Sequence, residues 1–311
     1  MRIATFESEG TERIGVVEGE EVRPFPDDLA LLDLLAADPE TRTQAAARAG
    51  APVALDAVRL LPPRTGGAVR DFVAFEQHIE GVTMGHGGVP SGWYERPTFV
   101  MQNPHAALGA HDDVAIPAGC ELMDFECELA AVVGRDARDV TPERAGEHIA
   151  GFMIWNDWSA RDLQRADMAI GLGPAKGKDF ANTFGPWIVT ADELEPYRRG
   201  DRLDLEMTVW INDKRIGGDR SSSMAWSFEE LLTYAARAAW VKAGDILGSG
   251  TCGGGALAEL WGRAGGLEPP PLRPGDVVTM TIEAIGTIRS RLVAGPPEAA
   301  PIPRARPRAR P

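Results

Sequence analysis

Cysteine is scarce, with three in 311 residues. Cys120, Cys127 and Cys252 form an odd set without metal-type spacing, which excludes a disulfide framework and reads as reduced thiols. Positive charge is short as well: 32 Lys and Arg against 46 Asp and Glu leave a net charge of −14. That is the wrong sign for a nucleic-acid binder, whose surface must be basic, so an anionic ligand must be met by local Arg and Lys. No apolar run approaches roughly 18 residues, and no basic stretch at the start leads into an apolar one. Neither a membrane span nor a signal peptide is therefore expected, and cytoplasm is the expected compartment. A phosphate loop is missing too, because Gly253-Gly-Gly255 lacks both the lysine and the helix start that such a loop needs. There are no internal repeats at solenoid periods.

What remains has the composition of a globular protein, 44% hydrophobic and 25% charged. The length suits one sizeable domain with a smaller one attached. Residues 1–62 read as a small N-terminal α+β subdomain. Short strands around Ile3, Val16 and Val22 are split by turns at Glu9-Gly10 and Glu18-Gly19, and helical stretches follow near Leu31 and Ala45. It ends at the Pro62-Pro63 punctuation. A β-rich α+β domain is expected over 68–295, because many regularly spaced strands and frequent glycine turns outnumber the few helices. Thr141-Pro142-Glu143 predicts a helix to Ile149, followed by a short strand at 151–154. A helix over 159–170 places Arg161 and Gln164 on one face. Strict alternation from Leu203 to Ile211 with a turn at Asn212-Asp213 predicts a hairpin, and Ser227-Phe-Glu-Glu230 is a capping box opening a helix to Ala239. Residues 296–311 are a Pro/Arg/Ala tail expected to be disordered.

Chemistry concentrates around Glu126 and Glu128. They precede apolar Leu129 to Val133, which reads as a strand running into a buried sheet, and residues two apart on a strand leave from one face. Such a pair of carboxylates is tolerable in a core only with a cation or basic side chains between them. The alternative is an ordinary strand whose solvent face carries Asp124, Glu126 and Glu128.

Asp71 with His78, Glu126-Cys-Glu128, Asn156-Asp-Trp-Ser-Ala-Arg-Asp-Leu-Gln164, Gly177-Lys178, Gly185-Pro-Trp187 and Gly248-Ser-Gly-Thr251 occur in that order. Together they resemble the fumarylacetoacetate hydrolase family over about residues 68–293. The resemblance implies the family's catalytic fold of mixed, roll- or barrel-like sheets with flanking helices, and a homodimer. It implies a divalent cation on Asp71, Glu126, Glu128 and Asp157, an all-oxygen set suited to Mg²⁺, with Mn²⁺ or Ca²⁺ as alternatives. His78 resembles the general base and Glu259 the acid that orients it. Arg161, Gln164 and Lys178 resemble the polar triad around the substrate oxygens, and Thr251, with Ser249, the receiver of a substrate carboxylate.

Val73 and Met168 stand where mammalian members carry substrate tyrosines, and the His78–Gly92 segment offers no counterpart of their substrate arginine. A small anionic 2-oxo or diketo acid, more apolar than fumarylacetoacetate, is thus the expected substrate, with Trp93, Tyr94, Trp158 and Met168 lining its pocket. The activity implied is hydrolysis of the C–C bond of a β-diketo acid. Decarboxylation or keto–enol isomerisation on the same site is the alternative, and a non-catalytic metal or carboxylate binder the reading from another class.

Overall fold

The computed structural model describes residues 1–63, 66–84 and 87–306. Gly85 and His86 of the His78–Gly92 segment, and 307–311 of the expected tail, lie outside the described residues. The architecture is α+β and rich in sheet, with one sheet of twelve strands and one of five.

The strand Cys127–Val133 is the axis of the larger sheet, and all seven of its residues are buried. Alternate side chains feed two cores. Leu129, Ala131 and Val133 join Phe152, Met207, Met280 and Ile288 beneath the five-stranded sheet. Ala130 and Val132 join Trp155, Ile188, Ile3 and Leu34 on the other face. A strand covered on both faces reads as a continuous apolar run, which is why this segment shows no polar alternation after Glu128.

On one side Cys127–Val133 pairs with the antiparallel Ile149–Asp157, Leu129 opposite Ile154. On the other it pairs with Ile246–Gly248, which runs parallel to Val69–Phe72 with Gly248 opposite Asp71. These directions bring the C-terminal ends of Val69–Phe72 and Ile149–Asp157 and the N-terminal end of Cys127–Val133 to the same edge of the sheet. Strand directions alone therefore gather Asp71, Glu126, Glu128 and Asp157.

The three N-terminal strands, Arg2–Ser8, Thr11–Glu18 and Glu21–Pro24, form the expected meander. Its first strand also pairs with Asn182–Thr190, Ile3 opposite Ile188, so the meander extends the large sheet. The smaller sheet contains the expected hairpin, Glu206–Ile211 with Lys214–Arg220, closed by Asn212 and Asp213 at φ 49° and 64°. Among the described residues neither sheet closes into a barrel, and each ends in an edge strand on both sides.

Helices are shorter than the sequence pattern implies, and tertiary pairing is the reason. The helix expected from Thr141 to Ile149 is one α turn, Pro142–Ala145, then a 3₁₀ turn, Gly146–His148, because Ile149 is drawn into the sheet opposite Val133. The helix expected over 159–170 spans Arg161–Met168, since Ser159 and Ala160 pair with Asp124 and Met123. The capping box at Ser227 forms as expected and opens Phe228–Ala236. Residues 301–306 have neither helix nor strand and are exposed. No helix among the described residues is long and apolar enough to cross a membrane.

Candidate active site

Asp71, Glu126, Glu128 and Asp157 each bring one oxygen into a set within 4.8 Å of one another, and all four are buried. Two cations flank them. Lys178 Nζ lies 2.6 Å from Asp157 Oδ2 and also donates to Glu126 Oε2. Arg161 reaches Glu126 Oε1 at 2.7 Å and donates through Nε to Asp124 Oδ2 at 2.8 Å.

The charges do not balance, and the carboxyl groups respond unequally. Burial pushes Asp71 up to about 6, against the pull of Lys178. Glu128 stands well above the usual carboxylate range, from burial first and then the neighbouring Asp71 and Asp157. Burial likewise raises Asp157, with Lys178 opposing and Glu126 and Asp71 adding to it. Glu126 is the exception: burial acts to raise it, but Lys178 and Arg161 outweigh burial and hold it below the usual range. Burial also opposes the charge on Lys178, and Asp157 and Glu126 outweigh it, keeping the ammonium above the ordinary lysine value.

Asp71 Oδ1, Asp157 Oδ1 and both oxygens of Glu128 are buried with no hydrogen-bond partner. Buried carboxylate oxygens left unpaired are costly unless a cation receives them, and four convergent oxygens match a hard divalent ion. The donor set fits such an ion.

His78 stands beside this cluster on the helix Glu76–Thr83. Its Nδ1 lies 3.4 Å from Glu259 Oε2, and its Nε2 is 3.9 Å from Glu126 Oε1. Glu259 belongs to the helix Leu257–Ala264 and is fully buried, accepting from the Gly254 N–H at 2.8 Å and from Arg263 at 2.5 Å. The two helices approach through glycines. A Cβ on Gly81 would lie 2.2 Å from Glu259 Cγ, and one on Gly262 would lie 2.0 Å from the Gly81 carbonyl oxygen. Only without those methyl groups can the two side chains meet.

Above the cluster opens a cavity of about 640 Å³, lined by His78, Arg161, Gln164, Lys178, Thr251, Val73 and Met168 as well as by three of the four carboxylates, Asp71, Glu126 and Glu128. Arg161 Nη1 donates to Gln164 Oε1 at 3.1 Å, leaving the amide nitrogen of Gln164 for another acceptor. Ser249 is not brought to the cavity. Its hydroxyl donates to the Gly250 carbonyl at 2.6 Å and accepts from the Leu129 N–H, so it serves the loop's backbone and Thr251 faces the site without it. Nor do the expected aromatic residues line it: Trp158 is buried on Thr183, Trp93 packs against Trp226 and donates to the Val73 carbonyl, and Tyr94 bonds Glu76 outside.

Three participants were not legible as such. Asp124 is fully buried, not on a solvent face. It accepts from the N–H groups of Leu257 and Ala258 at 2.8 and 2.9 Å while holding Arg161, so one carboxylate ties the Glu259 helix to the cation-flanked floor. A signal existed, because Ala256 at the N-cap offers no side-chain acceptor and the first N–H groups of that helix must find one elsewhere. Gln102 donates to Asp157 Oδ2 at 2.8 Å, orienting that carboxylate. Arg263 holds the far oxygen of Glu259 from four residues along the same helix. No pattern marks Gln102 in advance, since its strand reaches the site only through pairing with Val69–Phe72.

Residues 67–293 match the family model described as fumarylacetoacetate (FAA) hydrolase C-terminal, and residues 1–63 the one described as Rv2993c-like, N-terminal. The chain is 28% identical to 2,4-didehydro-3-deoxy-L-rhamnonate hydrolase of a Sphingomonas species, over 94% of this chain and 96% of that one. Among solved structures it is similar to fumarylacetoacetate hydrolase of Exiguobacterium antarcticum, with 28% identity, a TM-score of 0.74 and 94% and 99% of the two chains covered. It is also similar to 5-carboxymethyl-2-hydroxymuconate delta-isomerase of Mycobacterium smegmatis, with 26% identity, a TM-score of 0.71 and 94% and 100% covered. Hydrolases and isomerases thus both occur among its relatives. Matched by the catalytic-domain model over most of its length, this chain belongs to the fumarylacetoacetate hydrolase family.

Proposed function

We propose that the protein is a divalent-cation-dependent hydrolase that cleaves the C–C bond of a β-diketo acid, an acylpyruvate or 2,4-dioxo acid. The observation that carries this reading is the buried His78–Glu259 contact beside the carboxylate cluster. Isomerisation or decarboxylation on the same cluster has no need of activated water, whereas hydrolysis requires a base for it.

A cation on Asp71, Glu126, Glu128 and Asp157 would supply Lewis-acid polarisation of the diketone oxygens. The rest is the work of the side chains. Glu259, fixed by the Gly254 amide and by Arg263, holds one imidazole nitrogen and stabilises the charge that His78 acquires. The other nitrogen takes a proton from water, and the hydroxide adds to the carbonyl distal to the acid group. As the C–C bond breaks, negative charge develops on the departing enolate. Lys178, held by its ion pairs to Glu126 and Asp157, and the amide nitrogen of Gln164, held by the hydrogen bond its carbonyl accepts from Arg161, face that charge already oriented. Thr251 receives the substrate carboxylate, and protonation of the enolate carbon yields a 2-oxo acid and a second carboxylic acid.

Incubation with a panel of acylpyruvates and Mg²⁺ or Mn²⁺, following loss of diketone absorbance and release of pyruvate, tests the reaction. Pyruvate release supports cleavage. A changed spectrum with an intact carbon skeleton would replace it with isomerisation, and untouched substrates would leave a non-catalytic binder. The homodimer belongs to the same reading and is checked by light scattering.

A further inference from the structure

We propose that Arg165 receives an anionic group at the end of the substrate distal to the carboxylate cluster, making it a specificity-determining residue for a diacid. The inference rests on the reading of the cavity as the substrate site.

The helix Arg161–Met168 forms one side of the cavity through Arg161, Gln164, Arg165 and Met168, the i, i+3, i+4 and i+7 positions of a single face. It runs from floor to mouth, because Arg161 is buried in the ion-pair lattice while Met168 is 54% exposed. Four residues of helix separate Arg165 from Arg161 by about 6 Å along the axis. The floor cations are committed: Arg161 to Asp124 and Glu126, Lys178 to Glu126 and Asp157. Arg165 alone among the described Arg and Lys residues lining the cavity has no carboxylate within ion-pairing distance.

Between floor and mouth the wall carries the apolar side chains of Ile79, Val82 and Val100, and beyond the charged groups of the floor Arg165 is the one charged residue among the described residues lining the cavity. Arg165 stands at the exposed end of this wall, where a guanidinium binds a carboxylate through two parallel hydrogen bonds, more directional than neutral ones. In a chain of net charge −14, a cation left unpaired at a cavity mouth also draws an anion inward. The sequence pattern had pointed to a more apolar substrate from Val73 and Met168. Arg165 assigns those apolar surfaces to the spacer and a charge to its end.

The test uses two 2,4-dioxo acids of equal chain length, one ending in a methyl group and one in a carboxylate. Calorimetric Kd with Mg²⁺ is measured for the wild type, Arg165→Leu and Arg165→Lys, alongside pyruvate release. The wild type is expected to bind the carboxylate-ended acid at least tenfold more tightly. Arg165→Leu erases that preference through a loss of roughly 10- to 100-fold on that acid, and Arg165→Lys restores part of it. Equal affinity of the two acids in the wild type, or an unchanged preference in Arg165→Leu, overturns the inference. A preference without pyruvate release removes the hydrolytic reading and keeps Arg165, whereas release without a preference does the reverse. Binding of neither acid removes both.

Discussion

The floor and the mouth of the cavity are built on opposite terms. At the floor, acids and two cations are locked by strand ends and by one another, with Asp124 anchoring both Arg161 and the Glu259 helix. At the mouth, Met84, Met168 and Leu267 are about half exposed, and Arg165 has no carboxylate within ion-pairing distance among the described residues. Rigid sheet edges hold side chains to the tolerance that chemistry requires, while a helix end and flanking loops change at little cost to the core. On the function proposed above, the difference puts reactivity at the floor and selectivity at the mouth.

The largest break in this contrast should come from Glu126→Ala. Lys178 keeps Asp157 and Arg161 keeps Asp124, so circular dichroism should report an intact fold while Mg²⁺ binding and turnover disappear. Tight Mg²⁺ binding retained by this variant contradicts the assignment of the cluster. His78→Ala should lower turnover roughly 10²- to 10⁴-fold with metal affinity kept. Steady-state rates and calorimetry decide this, and unchanged turnover removes His78 from the mechanism.

Protonation gives the next effect. Asp71, raised to about 6, and Glu128 and Asp157, raised well above the usual carboxylate range, keep protons that an unfolded chain releases above about pH 4. The metal-free fold therefore binds more protons than the unfolded chain, and the stability contributed by Asp71 falls as pH rises from about 4 through about 6. A cation must displace those protons, so Mg²⁺ affinity should rise over the same window by about tenfold or more, with net proton release. Calorimetry in two buffers of different ionisation enthalpy measures it, and a flat profile would mean that the cluster is already ionised without metal.

Gly81→Ala forces a methyl group into Glu259 and should cost about 1–3 kcal/mol of stability. If the Gly81–Gly262 contact exists to bring His78 to Glu259, kcat should fall on the order of tenfold while Mg²⁺ affinity stays. A lower melting temperature with unchanged kcat would reduce the contact to packing. Met168→Ala at the mouth should be the mildest, changing stability by less than about 0.5 kcal/mol and acting on KM instead of kcat. A large kcat effect there would erase the distinction between floor and mouth.

Much of the floor was legible because strands carry their own signature. Apolar Leu129–Val133 announced a buried strand, and Glu126 and Glu128 at its start could be placed on one face before any contact was known. Asp71, Asp157 and Lys178 were reached only through the family resemblance, since each taken singly is an ordinary polar residue near a turn. Asp124 misled: an acid in alternation with Glu126 and Glu128 looks solvated, and its burial follows from a helix that starts more than 130 residues later. Ser249 misled in the opposite sense, a hydroxyl beside a substrate-type threonine whose bonding capacity is taken up by backbone. Helix ends failed where the sheet captured terminal residues, as at Ile149 and Ser159.

By itself the sequence determined a β-rich α+β chain with Glu126 and Glu128 on one face of a buried strand, and its family resemblance added Asp71, Asp157, His78 and Glu259 as expected members of the site. Local periodicity suffices for the strands and the Glu126–Glu128 pair, because it depends on near neighbours alone; the other site residues were legible only through the order of motifs along the chain. Only the tertiary structure decided which cation neutralises which acid, that Asp124 is a structural tie and Ser249 a loop fastener, and that Arg165 is left facing an open cavity. Burial and pairing depend on strand order and helix approach, and these bring together residues that are distant in the chain.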